Sequence, residues 1–427
     1  MLIEFTVKNY RSIKEEQVLS LVKSKNDELS DTNSFSPNTL KNTSLVRSAV
    51  IYGANAAGKS NIIRAMFEMK TIVGESASLS QEGDELPVTP FLFDEKTSSE
   101  PSEFEMVFIK EGIRYQYGFT ATKTNILDEW LIAFPKGRAQ RWFSRIYDEK
   151  KKRANYKFGD SLTGKKSVWK NATRVNALFL STAVQLNSEQ LKPIFNWFKE
   201  NLRLSTVIGG WGPGYTVSLC DTEKGKDKIL TFLNAADLNI HDIQIEKEKF
   251  DPDFLPDKIP NSAKEEIIKQ LKNKDIINIK TIHKTTTDKL IALELDEESD
   301  GTQQVFSLAG PWLDVLENGY TLVIDELHNN LHPKLVKYLV DLFHSNKTNP
   351  RNAQLIFTTH ETSILNQDVF RRDQIWFCEK DKIQSTSLYP LTDFSPRKGR
   401  ENIESGYLSG RYGALPFVRE LNFNQAH

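Results

Sequence analysis

Apolar positions along this chain follow two rhythms, and where the rhythm changes the fold changes. Ile3, Phe5 and Val7 alternate with polar residues, so 2–22 reads as two half-buried strands joined by Asn9-Tyr10-Arg11-Ser12. Segments 104–109, 113–120 and 126–134 read as strands, with Gly112 and Asn125 in the turns between them. Four short, mainly apolar runs, 49–52, 320–324, 354–358 and 375–378, suit strands buried on both faces. Helical spacing follows the first run from Asn61 to about residue 73. It returns from the turn at Glu298-Ser299-Asp300-Gly301-Thr302 to about residue 317, and again over 333–345. Polar stretches 24–45 and 75–102 read as loops.

The middle of the chain has a different character. Ser188 reads as the N-cap of a helix over 189–202, with Leu191, Ile194, Phe195 and Phe198 on one face. Segments 226–236 and 263–274 give two more helices, and 209–214 a glycine-rich loop. No heptad run is long enough for a coiled coil. The expected fold is α/β, a mixed sheet plus a parallel core, in three parts. Residues 1–134 and 286–427 form the two halves of one head, and 135–285 an inserted α+β subdomain.

Composition narrows the class. The chain has 427 residues, and its net charge of −1 excludes a globally basic nucleic-acid binder. One local stretch differs. Residues 136–174 hold 13 basic residues against three acids, interleaved with Trp142, Phe143, Tyr147, Tyr156, Phe158 and Trp169. Such a stretch can track a nucleic-acid backbone and stack bases, or form solvated hairpins with a buried aromatic face. Cys220 and Cys378 have neither metal spacing nor a disulfide framework, which fits a reducing compartment. With no membrane-length apolar run and no signal-like start, the expected location is the cytoplasm.

The first buried run leads into Gly53-Ala54-Asn55-Ala56-Ala57-Gly58-Lys59-Ser60, an intact G-x-x-x-x-G-K-[ST] phosphate loop. Glycines let consecutive N–H groups face an anion, Lys59 reaches the β/γ-phosphates, and the Ser60 hydroxyl sits where Mg²⁺ is held. Asn61 opens the helix whose N-terminus adds positive charge. The second run ends in Asp325-Glu326. There Asp325 would serve the metal and Glu326 would be the general base for an attacking water. The third ends at His360, either a sensor of the γ-phosphate or a structural histidine. Ser299, Asp300 and Gly301 at a helix start make a second anion site or an ordinary N-cap. His328 and His332 share a helical spacing but lack a third zinc ligand.

Together these motifs resemble the ABC-type ATPase head shared by SMC proteins, RecF and the overcoming-lysogenization-defect family. The resemblance adds Arg11 and Ser12 as nucleotide contacts and makes Ser299-Asp300-Gly301-Thr302 the signature motif. The latter departs from the usual Leu-Ser-Gly-Gly-Gln, and no glutamine is assigned to the Mg²⁺-contacting loop. Asp325 through Pro333 and the tail Tyr407-Leu408-Ser409-Gly410-Arg411-Tyr412-Gly413-Ala414 look like the bacterial AbiLi/RloA-type ATPases of abortive phage infection, related to the PARIS ATPase. The resemblance implies a homodimer or higher oligomer that sandwiches ATP and Mg²⁺, with the signature of one subunit capping the loop of the other. A separate nuclease or toxin would read the nucleotide state, since Glu379-Lys380-Asp381 is the sole acidic cluster after His360 and lacks D-x-D spacing. The other reading is a RecF-type DNA-maintenance clamp. A nucleotide-gated scaffold with little turnover is disfavoured by the intact Asp325-Glu326 pair.

Overall fold

The computed structural model describes residues 1–205, 212–250, 260–271, 275–397, 399 and 401–416, and the Gly209-Gly210-Trp211 part of the expected loop lies outside them. The chain divides into two compact units. One comprises residues 1–208, 315–329 and 336–427, the other 209–314 and 330–335.

The first unit is built on two sheets. The alternating segments pair into one seven-stranded antiparallel sheet, in the order Arg153–Phe158, Gln140–Asp148, Ile126–Phe134, Ile113–Ala121, Ser102–Lys110, Leu2–Lys8, Gln17–Ser20. The mainly apolar runs form the other, in the order Leu202–Ser205, Thr321–Ile324, Gln354–Thr358, Ser48–Tyr52, Ile375–Lys380, Thr386–Pro390. Its first five strands are parallel and its last is antiparallel. Every residue of Ser48–Tyr52, Thr321–Ile324 and Gln354–Thr358 is buried, as expected of parallel strands covered on both faces. The helix Lys59–Glu75 buries Ile62, Ile63, Met66, Met69, Ile72 and Val73, a stripe at helical period that joins the common core.

Three expectations change. The helix expected over 189–202 starts at Lys192, with Pro193 in its first turn, and ends in a π-helical turn, Trp197–Asn201. Proline suits a first turn and not the interior of a longer helix. Leu202 then begins a strand, Leu202–Ser205, which pairs with Thr321–Ile324 and completes the parallel sheet. Residues 140–158, expected in the insert, extend the antiparallel sheet, so the second compact unit starts later than 135 and ends later than 285. In that hairpin Trp142 and Phe143 are buried, and Tyr156, Phe158 and Trp169 gather around Phe179. These rings therefore pack on the core, Tyr156 and Phe158 partly buried, while Arg138, Lys150, Lys151, Lys152 and Arg153 stay exposed.

A buried ion pair ties this sheet to the helix Phe179–Gln185. The Glu129 carboxylate accepts from Phe179 N (2.6 Å), Leu180 N (2.9 Å) and Tyr117 Oη (3.0 Å), with Arg145 at 3.7 Å. Burial raises the Glu129 pKa, and Arg145 with these donors opposes the rise.

The second unit carries a three-stranded antiparallel sheet, Asp242–Lys249, Asp275–Lys284 and Leu290–Glu294. It includes the helices Gly214–Cys220, Glu223–Ala235 and Asn261–Leu271, and the start of Asp300–Asn318. Pro311 lies inside that last helix and leaves the Ser307 carbonyl without its usual donor. The Thr216 hydroxyl lies 3.3 Å from that carbonyl and 2.8 Å from Phe306 O, while Gly310 N donates to Thr216 Oγ1 (3.0 Å). Among the described residues no helix is long and apolar enough to cross a membrane.

One buried group makes stability depend on pH. The His344 ring meets Ser48 Oγ at 2.8 Å, and burial, then the charges of Arg47 and Lys337, push its pKa from 6.5 to about 3. The folded state favours the neutral ring, whereas the unfolded chain takes up a proton near 6.5. This stability is complete above about 6.5 and is lost as pH falls towards about 3. Urea melts should show unfolding free energy dropping below pH 6.5, with a shallower drop in His344→Gln. Equal slopes in the two proteins would remove His344 as the cause.

Candidate functional site

Three neighbouring parallel strands end at the same edge, and each hands the chain to a residue of the expected site. Ser48–Tyr52 leads into Gly53, Gln354–Thr358 into Thr359 and His360, and Thr321–Ile324 into Asp325. Ligands of open α/β sheets bind outside such carboxyl ends.

The phosphate loop is pinned from behind. Gly58 has φ +108°, and a Cβ there would sit 2.1 Å from Thr386 Oγ1 and 3.0 Å from Ser12 Oγ. The Thr386 hydroxyl donates to Ala57 O (2.9 Å) and lies 2.7 Å from Ser12 Oγ, which accepts from Asn61 Nδ2 (2.7 Å). At Gly53 a Cβ would fall 2.3 Å from Cys378 O. Ser12 is buried in this brace. Arg11 Nε donates to Tyr10 Oη at 3.0 Å. Asn55, Ala56 and Ser60 are exposed, and Ala54 is half-buried.

Lys59 is 5% exposed, and its ammonium donates to the loop's own carbonyls, Gly53 O (2.8 Å) and Ala54 O (3.0 Å). Burial lowers its pKa, and Cys378, Asp325 and Glu326 work against the shift. A buried cation held by neutral carbonyls inside a turn of N–H groups is a fit host for phosphate. An anion arriving there would supply the missing counter-charge.

Thr358 joins the two acids. Its hydroxyl donates to Asp325 Oδ1 (2.6 Å) and accepts from Glu326 N (2.7 Å). Glu326 has φ +52°, a conformation that costs a side-chain-bearing residue about 1–3 kcal/mol and recurs at functional sites. Its carboxylate accepts from Asn329 Nδ2 at 2.7 Å. Beside it the His328 and His360 rings meet edge to face with centroids 5.4 Å apart. Burial comes first in lowering both pKa values. Lys59 and the neighbouring imidazole add to the shift at His360, so its ring stays neutral at neutral pH. His332 lies in the second unit, where its Nδ1 accepts from Lys334 N, and among the described residues no three His, Cys, Asp or Glu side chains form a metal-binding group.

Ser299, Asp300 and Gly301 also belong to the second unit. Ser299 Oγ accepts from Thr302 N (3.2 Å), the bond of an N-cap. Gly301 leaves only 3.0 Å between its would-be Cβ and Asn330 O. Glu298 anchors the turn through Thr281 (2.6 Å) and His283 (2.7 Å). Ser299 and Asp300 are exposed.

Sequence reasoning passed over Thr358, Thr386 and Asn329, and weighed His328 only as a zinc ligand beside His332. His328 and Asn329 follow Glu326 by two and three residues. Thr358 and Thr386 had no local signal, because their partners lie 32 or more positions away in the chain.

A family model described as "AAA domain, putative AbiEii toxin, Type IV TA system" matches residues 48–366. No curated protein matches. Among solved structures, the SMC head domain from Thermotoga maritima is similar over 91% of this chain and 98% of its own, at 14% identity and TM-score 0.41. An SMC head bound to the C-winged helix domain of ScpA is similar over 91% and 97%, at 11% identity and TM-score 0.37. The recombination mediator RecF with ATP is similar over 85% and 94%, at 15% identity and TM-score 0.32. Strand order and loop geometry define the fold as an ABC-type phosphate-loop ATPase head.

Two substitutions separate binding from turnover. Lys59→Ala removes a charged donor and should weaken ATP binding about 10- to 100-fold by calorimetry. Glu326→Gln should bind ATP normally and hydrolyse it more slowly, by on the order of 10²–10⁴. Unchanged affinity in the first, or unchanged turnover in the second, would strip that residue of its role.

Proposed function

The chain belongs to the family described as AAA domain, putative AbiEii toxin, Type IV TA system, and we propose that it is an ATP-binding, ATP-hydrolysing dimeric switch. It works in the cytoplasm in bacterial anti-phage defence, as an AbiLi/RloA-like ATPase, and controls a separate nuclease or toxin. One observation carries the enzymatic part. The Lys59 loop, the Asp325–Thr358–Glu326 unit and His360 follow the ends of three neighbouring parallel strands in one compact unit. The family's description carries the defence part.

Ser60 and Asp325 would hold Mg²⁺, which neutralises charge on the β- and γ-phosphates. Lys59 leaves its two carbonyls for the phosphate oxygens. Glu326, steadied by Asn329, takes a proton from the attacking water. A neutral His360 donates or accepts one hydrogen bond at the γ-phosphate without adding a full charge. Ser299, Asp300 and Gly301 of a second copy close the site, a role supported by the exposure of Ser299 and Asp300 at a helix start. ATP state then sets dimer geometry, and the effector responds only as far as it binds the two geometries differently. The exposed cations of 136–174 favour one further reading, a RecF/SMC-like DNA-binding ATPase of repair or maintenance.

Shared sites have a mixing signature. Asp300→Arg should block hydrolysis with little effect on ATP binding by one subunit. Mixed with Lys59→Ala, it gives heterodimers with one composite site intact and one doubly damaged. Partial recovery of ATPase activity supports sharing, and no recovery in verified heterodimers counts against it.

The defence role has its own test in phage plaque counts. Cells carrying this gene with its neighbouring effector gene should be protected. Cells carrying either gene alone should not, and Lys59→Ala or Glu326→Gln should change the outcome. Full protection by this gene alone, from a purified chain that degrades nucleic acid, would overturn the regulator reading. DNA binding that tightens with ATP, without any protection, would favour the maintenance reading.

A further inference from the structure

The tail motif Tyr407 to Ala414 is absent from the nucleotide chemistry above, yet it grips the chain on both sides of that chemistry. Tyr52 is the last residue before the phosphate loop, and its fully buried ring packs against Tyr407 with centroids 5.8 Å apart. The Tyr52 hydroxyl donates to the carbonyl of Glu361, the residue after His360, at 3.0 Å. One residue further on, the Thr362 hydroxyl donates to Glu404 Oε1 at 2.8 Å. Glu404 and Tyr407 lie in the same short helix, Ile403–Leu408. A single element thus holds the entrance to the loop through a ring and the exit from His360 through a hydrogen bond.

The remaining motif residues make that element rigid. Phe377, in the strand beside the phosphate-loop strand, stacks on Tyr407 (5.3 Å, 23°) and on Tyr412 (5.6 Å, 22°). Tyr407 Oη donates to Ala414 O (3.2 Å), and Ala414 N donates to Glu379 Oε2 (3.1 Å). The glycines are required by space. A Cβ on Gly406 would fall 2.8 Å from Tyr412 Oη, and one on Gly413, where φ is +67°, 2.5 Å from Glu379 Oε2. The outer turn, Leu408 to Arg411, is exposed.

We propose that the tail from Glu404 to Ala414 is a positioning clamp, in which Tyr407 and Glu404 hold the phosphate-loop entrance and His360 in register for turnover. The proposal rests on the nucleotide reading above and adds the residues that align its parts. Tyr407 and Glu404 act through Tyr52, Glu361 and Thr362, so they are positioning residues and not catalytic ones. The two grips also make different demands. The Thr362–Glu404 bond serves His360 alone, so losing it should spare ATP affinity. The Tyr407 ring supports the loop entrance as well, so losing it should affect both.

The test measures ATP affinity by calorimetry and steady-state kcat and KM on the full chain, with melting temperatures alongside. Thr362→Val and Glu404→Ala should lower kcat about 10- to 100-fold, the scale of a small misplacement of a reacting group, with ATP affinity within about twofold. Glu404→Gln keeps the accepting oxygen and should restore turnover. Tyr407→Ala should lower both kcat and affinity, whereas Tyr407→Phe, which keeps the ring, should stay near wild type. Lower melting temperatures with wild-type kcat and KM throughout would reduce the tail to a structural brace and overturn the clamp. If Tyr407→Ala does not fold, Thr362→Val and Glu404→Ala decide, since each removes only the one part-buried Thr362–Glu404 hydrogen bond, with Glu404→Gln as the rescue. A wild-type chain that neither binds nor hydrolyses ATP would instead overturn the nucleotide reading itself.

Discussion

The loop at residues 53–60 can hold its shape because nothing larger than hydrogen fits at Gly58. The space a Cβ would need is taken by Thr386 and Ser12, whose hydroxyls are bonded to each other and to Ala57 O and Asn61. The loop is therefore held in shape from its protein side, with Asn55, Ala56 and Ser60 exposed. Organisation of this kind lets a site spend binding energy on charge and not on ordering a loop. The brace also explains the architecture around it. Ser12 follows the strand Leu2–Lys8 of the antiparallel sheet, and Thr386 opens the antiparallel edge strand of the other. The two sheets are thus tied together behind the phosphate loop.

Charge at this site is finely balanced. Lys59 is buried, its pKa is lowered by that burial against the pull of Cys378, Asp325 and Glu326, and its ammonium donates to two neutral carbonyls. Burying a charge is costly unless it is paired. A phosphate group bound beside Lys59 would offset this cost. A second strain sits across the edge, where Glu326 holds a left-handed backbone while Thr358 bonds to its N–H and to Asp325. Thr358 lies on the strand between the loop and the acids, next to His360. A shift of that strand end on nucleotide binding would move the acids, the histidine and, through Glu361 and Thr362, the tail together.

How much of this could be read in the sequence follows from the range of each interaction. The loop, Asp325-Glu326 and His360 were legible because strand, turn and motif are contiguous. The parallel core was legible because doubly buried strands have mainly apolar runs. The strand Leu202–Ser205 was not, since it is only four residues long and Leu202 continues the helical spacing of Leu191, Ile194, Phe195 and Phe198. The stretch 136–174 carried a real ambiguity. Interleaved aromatic and basic residues look alike whether the rings face bases or a core, and only Phe179, brought in from another segment, decides for the core. The Thr386–Ser12 brace spans 374 positions and leaves no local trace.

The tail motif belongs with the braces and not with the catalytic letters. Gly413 is dictated by Glu379 and the neighbouring Gly406 by Tyr412, while Tyr407 is set by the ring of Tyr52 and the backbone of Ala414. Letters with packing reasons of this kind would ordinarily be assigned to stability alone. Here the packed partners are the residue before the phosphate loop and the residues just after His360. Stability and alignment are therefore the same contacts seen in two measurements. The outer turn of the motif is exposed while its inner side grips the site, so a change at either face has a short covalent and packed route to the other. Under the proposed function, in which nucleotide state sets dimer geometry, that route is where nucleotide state and surface shape would be coupled most directly.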